Sequence, residues 1–150
     1  MRTHGASTDP EEQRSILVAD GDEDAASVLA SLLLYQRFRA HATAHGSEAL
    51  RLARTHPLDL AVVDVRLQDM SGRELILGLR QIDHRLPVVV TSADLGAEAE
   101  GRARELGLLH YVHKPYDPRR IVAVVAKALA RPGAPRARVH ALGLRTWTSE

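Results

Sequence analysis

The sequence has no cysteine among its 150 residues, and only 3% of its residues are aromatic. The lack of cysteine excludes disulfides and thiolate metal sites, and it fits a cytoplasmic location. No apolar run approaches the roughly 20 residues of a membrane-spanning helix, and the polar start of the chain does not read as a signal peptide. A formal net charge of +1 gives no overall reason to expect a nucleic acid partner.

The length is sufficient for one domain with a hydrophobic core and too short for two full ones. Residues 1–14 are polar and are expected to form a flexible leader. Residues 132–150 contain prolines, glycines and arginines but little apolar surface, so we expect a disordered basic tail with only a modest attraction for nucleic acid. The folded domain is therefore predicted to span residues 15–131.

Short apolar runs alternate with helical patterns along this domain. The pattern predicts strands at 16–19, 38–44, 58–64, 88–92 and 109–113, and helices at 24–37, 47–54, 71–83, 97–106 and 119–131. Unbroken apolar runs indicate strands buried on both faces, as in parallel sheets. Parallel strands need crossover connections, which place helices on both faces. We therefore predict an α/β fold with a doubly wound, five-stranded parallel sheet and five helices.

Polar side chains stand where four of the predicted strands end. Asp20 follows the first strand, Asp64 ends the third, Ser92 ends the fourth and Lys114 follows the fifth. The carboxyl ends of parallel strands meet at one edge, where ligands bind in such folds. Carboxylates suit a hard cation such as Mg2+ and can act as nucleophiles toward a phosphoryl group, whose oxygens a hydroxyl and an ammonium stabilise. Each residue singly could instead cap a helix or form an ion pair, but their convergence favours a phosphoryl-transfer site.

At these positions the chain resembles the receiver domain of two-component response regulators, over about residues 14–131. The resemblance implies the flavodoxin-like, chemotaxis-type fold with strand order 2-1-3-4-5. The segments that carry it are 16–20, 46–50, 64–72, 87–93 and 111–116.

The resemblance implies a role for each polar residue. Asp64 would accept a phosphoryl group from a histidine kinase or a phosphotransfer protein. Ser92 would hydrogen-bond that group, and Lys114, whose bond to Pro115 is usually cis in the family, would contact it by charge. Tyr111 would be the aromatic residue whose rotamer reports the switched state. The switched surface would bind an unknown downstream protein, and a homodimer through the face of the last two helices is a further possibility.

The implied metal site departs from the family pattern. Its expected ligands are the carboxylates of Asp20 and Asp64 and the main-chain carbonyl of Arg66. Family members usually carry two adjacent acids after the first strand, whereas Gly21 takes the place of the second acid here. Asp22 either swings into the site or faces solvent and caps the helix, and we favour the second alternative. Mg2+ is therefore the expected cofactor, with weakened binding.

Three further residues border the predicted site. Arg66 and Asp94 each stand two residues beyond a site residue, where side chains often tune phosphoryl lifetime, and they either pair across its mouth or remain solvated. The Arg66 guanidinium would also offset negative charge where metal binding is weak. Gln68 stands where proline is common, a change from which we expect little effect.

These observations leave two functions open. The first is a phosphoacceptor module whose chemistry is limited to its own phosphorylation and dephosphorylation at Asp64. The second is a pseudo-receiver, a protein-interaction module that works without phosphorylation, for which Gly21 is the main argument. A phosphoaspartate hydrolase is disfavoured because Arg66 stands where such an enzyme needs a second acid.

Overall fold

The computed structural model describes residues 13–93, 101 and 105–130, together with the backbone of 136–139 and 145–148. Of the predicted leader, only Gln13 and Arg14 belong to the described residues. The elements of the main domain are β1 (Ser15–Ala19), α1 (Glu23–Tyr35), β2 (Arg39–Thr43), α2 (Gly46–Thr55), β3 (Leu60–Asp64), α3 (Gly72–Ile82), β4 (Val88–Ser92), β5 (His110–His113) and α4 (Pro118–Ala130).

The strands form one parallel sheet in the order β2-β1-β3-β4-β5. In its centre Val18 pairs with Val62, which in turn pairs with Val89. Every residue of β1, β3 and β4 is buried, whereas β2 lies at an edge and is partly exposed. Continuous burial explains why each of these three strands contains an unbroken run of apolar residues rather than an alternation of apolar and polar ones. The predicted α/β class and strand order are thus confirmed.

Alternate residues of each strand point to opposite faces of the sheet and build two cores. Leu17 packs on one face with Leu52 and Leu75 of α2 and α3. Its neighbour Ile16 packs on the other face, with residues of α1 and α4 such as Leu29. Burial of each large side chain contributes about 1.5–3 kcal/mol. The two cores fix the strands, and the strands in turn fix the positions of the loops at their carboxyl ends.

The helix count differs from the prediction. Four helices are bounded within the described residues, whereas the sequence predicted five. The helix expected over 97–106 lies mostly outside the described residues; of that range Gly101, Glu105 and Leu106 are described, the first two with helical backbone. Leu106 is the one large apolar residue in that stretch, and it is partly buried against the core that contains Leu52 and Leu75. Gly107 has a φ of 63°, the left-handed conformation common after a helix end.

Two further strands lie in the segment for which the sequence predicted disorder. β6 (Arg136–Val139) and β7 (Arg145–Thr148) pair antiparallel as their own two-stranded sheet. Val139 and the sequence Thr146-Trp147-Thr148 have high strand propensity, which accounts for the pairing. The rest of that segment lies outside the described residues. Within the described part of the chain, none of the helices has the length and apolar character needed to cross a membrane.

Candidate functional site

Three of the predicted site residues meet at the carboxyl edge of the sheet. Lys114 Nζ donates hydrogen bonds to Asp20 Oδ2 at 2.9 Å and to Asp64 Oδ2 at 3.0 Å. Asp20 directly follows β1, Asp64 ends β3 and Lys114 directly follows β5. The backbone N–H of Lys114 also donates to the Ser92 carbonyl at 2.7 Å, which anchors this lysine to the end of β4. The sheet therefore brings a cation and two carboxylates into one cluster, as the sequence predicted.

The cluster is shielded from water but not closed. The side chains of Asp20, Asp64 and Lys114 are 5%, 11% and 24% exposed. Burial raises the pKa of Asp64, and the adjacent Asp20 carboxylate adds to this rise, against the opposing effect of Lys114. Burial lowers the pKa of Lys114, but its hydrogen bonds to both carboxylates outweigh burial and leave the pKa raised. Lys114 is therefore a stable cation that contacts the Asp64 carboxylate.

Ser92 and Tyr111 lie on the strands beside this cluster. Ser92 is fully buried at the end of β4, where it pairs in register with His113 of β5. Tyr111 is partly buried, and its ring meets the ring of His113 edge-on with centroids 5.0 Å apart. The Lys114–Pro115 peptide bond is cis, as the resemblance implied.

Tyr116 is a further residue near the cluster to which sequence analysis gave no role. Burial raises the pKa of its phenol, and the carboxylate of Asp20 adds to the rise. Its position two residues after Lys114 was the available signal.

Asp22 caps α1 and does not join the cluster. Its Oδ1 accepts hydrogen bonds from the backbone N–H groups of Asp24 at 3.0 Å and Ala25 at 3.2 Å. This is the arrangement of an N-cap residue. Its own backbone N–H donates to Asp20 Oδ1 at 2.9 Å and so helps to orient the Asp20 carboxylate. Of the two alternatives for Asp22, the structure therefore supports the second, in which its side chain is exposed and caps α1.

The loops after β1 and β3 contact each other at Gly21. The Gly21 N–H donates to the Arg66 carbonyl at 3.2 Å, and Gln68 Nε2 donates to the Gly21 carbonyl at 3.1 Å. The Arg66 guanidinium is exposed and has no partner among the described residues. Asp94, its expected partner, lies outside the described residues, so that pairing stays a prediction. The sequence pattern predicted little effect of Gln68 and did not indicate this contact.

Asp69 ties the same β3–α3 loop to α2. Its carboxylate accepts the backbone N–H groups of Gly46 at 2.6 Å and Ser47 at 3.0 Å. Hydrogen bonds from the side chain and backbone of Ser47, together with the one from Gly46, lower the Asp69 pKa to about 2. His45, which directly precedes α2, forms no side-chain hydrogen bond that caps this helix. The lack of a local acidic or hydroxyl cap at His45 was the only sequence signal for this contact.

The oxygen atoms at this edge match a hard cation in kind. Asp20 and Asp64 offer carboxylates, and Arg66 offers a main-chain carbonyl, which are the ligand types that Mg2+ prefers. Both Asp20 oxygens already accept protein donors, namely Lys114 and the Asp22 amide. Among the residues that the structure describes, no group of three or more His, Cys, Asp or Glu side chains is arranged to hold a metal ion. A cation here would therefore depend on the two carboxylates, the carbonyl and water.

The family model described as "Response regulator receiver domain" matches residues 16–126. The chain therefore belongs to the response regulator receiver domain family. One relative is the regulatory protein AtoC of Escherichia coli strain K12, which is 30% identical over 115 residues, or 76% of this chain and 25% of AtoC. The chain spans between 25% and 57% of the length of the curated relatives it matches.

Solved receiver structures share the fold. The non-phosphorylated HemR receiver domain of Leptospira biflexa superposes with a TM-score of 0.73 at 27% identity, over 79% of this chain and 96% of that one. A response regulator of Burkholderia pseudomallei, crystallised with a phosphorylated aspartic acid, a calcium ion and citrate, gives a TM-score of 0.68 at 25% identity, over 80% and 76% of the two chains. Members of this family generally take part in two-component signalling, interact with histidine kinases or phosphotransfer proteins and bind Mg2+ for phosphorylation.

Proposed function

We propose that this chain is a phosphoacceptor receiver in which Asp64 takes a phosphoryl group from a histidine kinase or a phosphotransfer protein. The observation that carries the proposal is the cluster at the sheet edge, in which Lys114 Nζ contacts Asp64 Oδ2 at 3.0 Å and Asp20 Oδ2 at 2.9 Å. Such a cluster supplies a carboxylate nucleophile beside a fixed cation. The location proposed for this module is the cytoplasm, and residues 15–131 are its proposed domain.

The chemistry assigns one role to each side chain. An Asp64 carboxylate oxygen forms a bond to phosphorus as the bond from phosphorus to the donor histidine nitrogen breaks, and the electron pair of that bond stays on the imidazole. Lys114 neutralises charge on the phosphoryl oxygens, and Ser92 donates its hydroxyl hydrogen to one of them. Asp20, Asp64 and the Arg66 carbonyl would hold Mg2+, which supplies further neutralisation of phosphoryl charge. Binding is weakened because Gly21 has no side-chain ligand and Asp22 caps α1.

The proposed output is a change at the surface next to β5. A phosphoryl group that recruits Ser92 would favour an inward position of Tyr111, because Tyr111 lies on the strand next to Ser92, where it pairs with Val90. The face formed by the last helices would then bind a downstream protein or a second copy of the chain. Arg66 and Asp94, at the border of the site, would set how long the phosphoryl group persists.

Intact-mass measurement after incubation with acetyl phosphate and Mg2+ tests the phosphoacceptor role. We expect the wild type and the control Asp117→Asn, which changes an exposed acid outside the cluster, to gain one phosphoryl group. Asp64→Asn is expected to gain none. No gain by the folded wild type at any Mg2+ concentration would contradict phosphotransfer and favour a phosphorylation-independent pseudo-receiver.

A further inference from the structure

Two hydrogen bonds join the β1–α1 loop directly to the β3–α3 loop. The Gly21 amide donates to the Arg66 carbonyl at 3.2 Å, and the Gln68 side-chain amide donates to the Gly21 carbonyl at 3.1 Å. Both bonds involve the backbone of Gly21, one through its donor and the other through its acceptor. We call this pair of hydrogen bonds, formed by Gly21, Arg66 and Gln68, the loop clamp.

The clamp requires glycine at position 21. A Cβ atom placed there would lie 2.6 Å from the Arg66 carbonyl oxygen and 3.5 Å from Leu67 Cα. A separation of 2.6 Å is well inside ordinary carbon–oxygen contact, and the opposing atom belongs to the backbone, so a side chain at this position would push the loops apart. Gly21 therefore does more than remove an acid from the site. Because it has no Cβ, the β1–α1 loop can approach the Arg66 carbonyl more closely than it could with any other residue at position 21.

Gln68 is held in place to complete the clamp. Its backbone N–H donates to the Ala44 carbonyl at 3.0 Å, which fixes the main chain of residue 68 against the loop before α2. The neighbouring Asp69 caps α2 through Gly46 and Ser47, so the loop is anchored from two consecutive residues. The Gln68 side chain therefore extends toward Gly21 from a backbone that is already held in place.

The clamp occupies the side of the Arg66 carbonyl that faces Gly21. The Gly21 nitrogen lies 3.2 Å from the Arg66 oxygen, with the amide hydrogen between them. A Mg2+ ion, which lies about 2.0–2.1 Å from each of its oxygen ligands in a near-octahedral shell, does not fit between these two atoms. The amide hydrogen also carries a partial positive charge toward the oxygen that a cation would use. Cation binding on that side of the carbonyl therefore competes with the clamp.

We propose that the loop clamp holds the acceptor site in shape without a divalent cation and must open for the cation to engage the Arg66 carbonyl from the side that faces Gly21. This inference rests on the proposed function, because it concerns how the same site is regulated. Gln68 acts as a positioning residue, since it works through Gly21 and does not touch the reacting atoms. The clamp sets a threshold of Mg2+ concentration below which the resting geometry persists.

Mg2+ titration followed by the backbone amide resonances of 15N-labelled protein tests the clamp without any phosphoryl donor. Gln68→Met keeps the length of the side chain and removes its donor, and Gln81→Met makes the same change at an exposed position of α3. One neutral hydrogen bond contributes modestly, so Q68M is expected to bind Mg2+ about two- to tenfold more tightly than the wild type, with Q81M unchanged. Hydrogen exchange at the Gly21 amide in the absence of Mg2+ should be faster in Q68M.

Equal or weaker Mg2+ affinity in Q68M, or binding in neither protein, would overturn the inference. So would an unprotected Gly21 amide in the Mg2+-free wild type, because the hydrogen bond to Arg66 would then be absent. Neither readout involves transfer of a phosphoryl group. A failure of phosphorylation at Asp64 with an intact Q68M effect would therefore count against the proposed function and leave the clamp standing.

Discussion

Lys114 Nζ lies 3.0 Å from Asp64 Oδ2, although 50 residues separate them in the sequence. The two residues stand at the ends of β5 and β3, which are separated in the sheet by β4. The contact thus reaches across β4 at the carboxyl end of the sheet. The stability of the domain therefore depends on which side chains form this cluster.

Replacement of Lys114 by methionine is expected to destabilise the domain. Asp20 and Asp64 would then lie close together in a largely buried site without their shared cation. Loss of a partner from a buried charged group costs about 1–3 kcal/mol, and the partial exposure of Lys114 favours the lower half of that range. Urea unfolding at neutral pH measures the change in the free energy of unfolding.

Addition of Asp64→Asn to Lys114→Met should recover part of the lost stability, because it removes one of the two unpaired charges. Arg120→Met, which removes an exposed cation at the start of α4, is the control and should have little effect. Additive effects of the Lys114 and Asp64 substitutions would show that the two side chains do not interact.

Gly21→Ala is expected to lower stability by about 1–3 kcal/mol, the usual cost of inserting a group into a filled space. The added Cβ would lie 2.6 Å from the Arg66 oxygen, so the two loops must separate. Gly21→Asp adds the same Cβ together with a carboxylate. Thermal unfolding with and without Mg2+ separates the two effects, because only Gly21→Asp should gain stability from the metal beyond that of Gly21→Ala.

An alanine variant as stable as the wild type would mean that the loops do not approach as closely as the structure has them. Equal metal dependence of the two variants would mean that a carboxylate at position 21 does not reach the cation.

The strands and the main cluster were predictable because both follow from local patterns. β1, β3 and β4 each contain an uninterrupted apolar run, and a parallel sheet places their carboxyl ends at one edge. Lys114 and Asp64 were therefore expected to be neighbours before their separation was known. The helix expected over 97–106 was a weaker prediction, since its pattern rests on alanines and a single large apolar residue, Leu106.

The contacts among the loops were not predictable in the same way. Gln68 and Asp69 bond to backbone groups of Gly21, Gly46 and Ser47, and backbone acceptors and donors carry no residue-specific signal in the sequence. The sequence showed a missing acid at Gly21 but not that the position admits no side chain. That constraint arises from the distance between two loops, which only the assembled sheet defines.

Asp69→Asn is expected to lower the melting temperature at neutral pH. Its ionised carboxylate accepts two amide hydrogens at the start of α2, where the helix dipole also favours negative charge. Because the folded-state pKa of about 2 lies below the ordinary value, the stabilisation is present above about pH 4 and is lost as the pH falls toward 2. The melting temperatures of wild type and variant should therefore converge in that window.

Glu74→Gln is the matched control, because it changes a carboxylate to an amide in the first turn of α3 without affecting α2. At neutral pH its melting temperature should differ less from that of the wild type than the melting temperature of Asp69→Asn does. A constant difference between wild type and Asp69→Asn from pH 7 down to 2 would contradict the lowered pKa of Asp69.

Ser92→Ala is expected to separate phosphorylation from the change at Tyr111. The substitution removes one hydroxyl donor from a fully buried position at the end of β4 and leaves the Asp64–Lys114 contact intact. Intact mass should still show a phosphoryl group after incubation with acetyl phosphate and Mg2+. The 19F resonance of 3-fluorotyrosine at position 111, assigned with Tyr35→Phe and Tyr116→Phe, should shift on phosphorylation in the wild type and stay in place in Ser92→Ala.

Ser92→Thr retains the hydroxyl and should preserve the shift, which distinguishes loss of the hydrogen bond from a general disturbance of β4. A shift in Ser92→Ala as large as in the wild type would show that Tyr111 responds to the phosphoryl group without Ser92. The edge-on contact between Tyr111 and His113, with centroids 5.0 Å apart, would then be the next element to test, because an inward movement of the Tyr111 ring would change it.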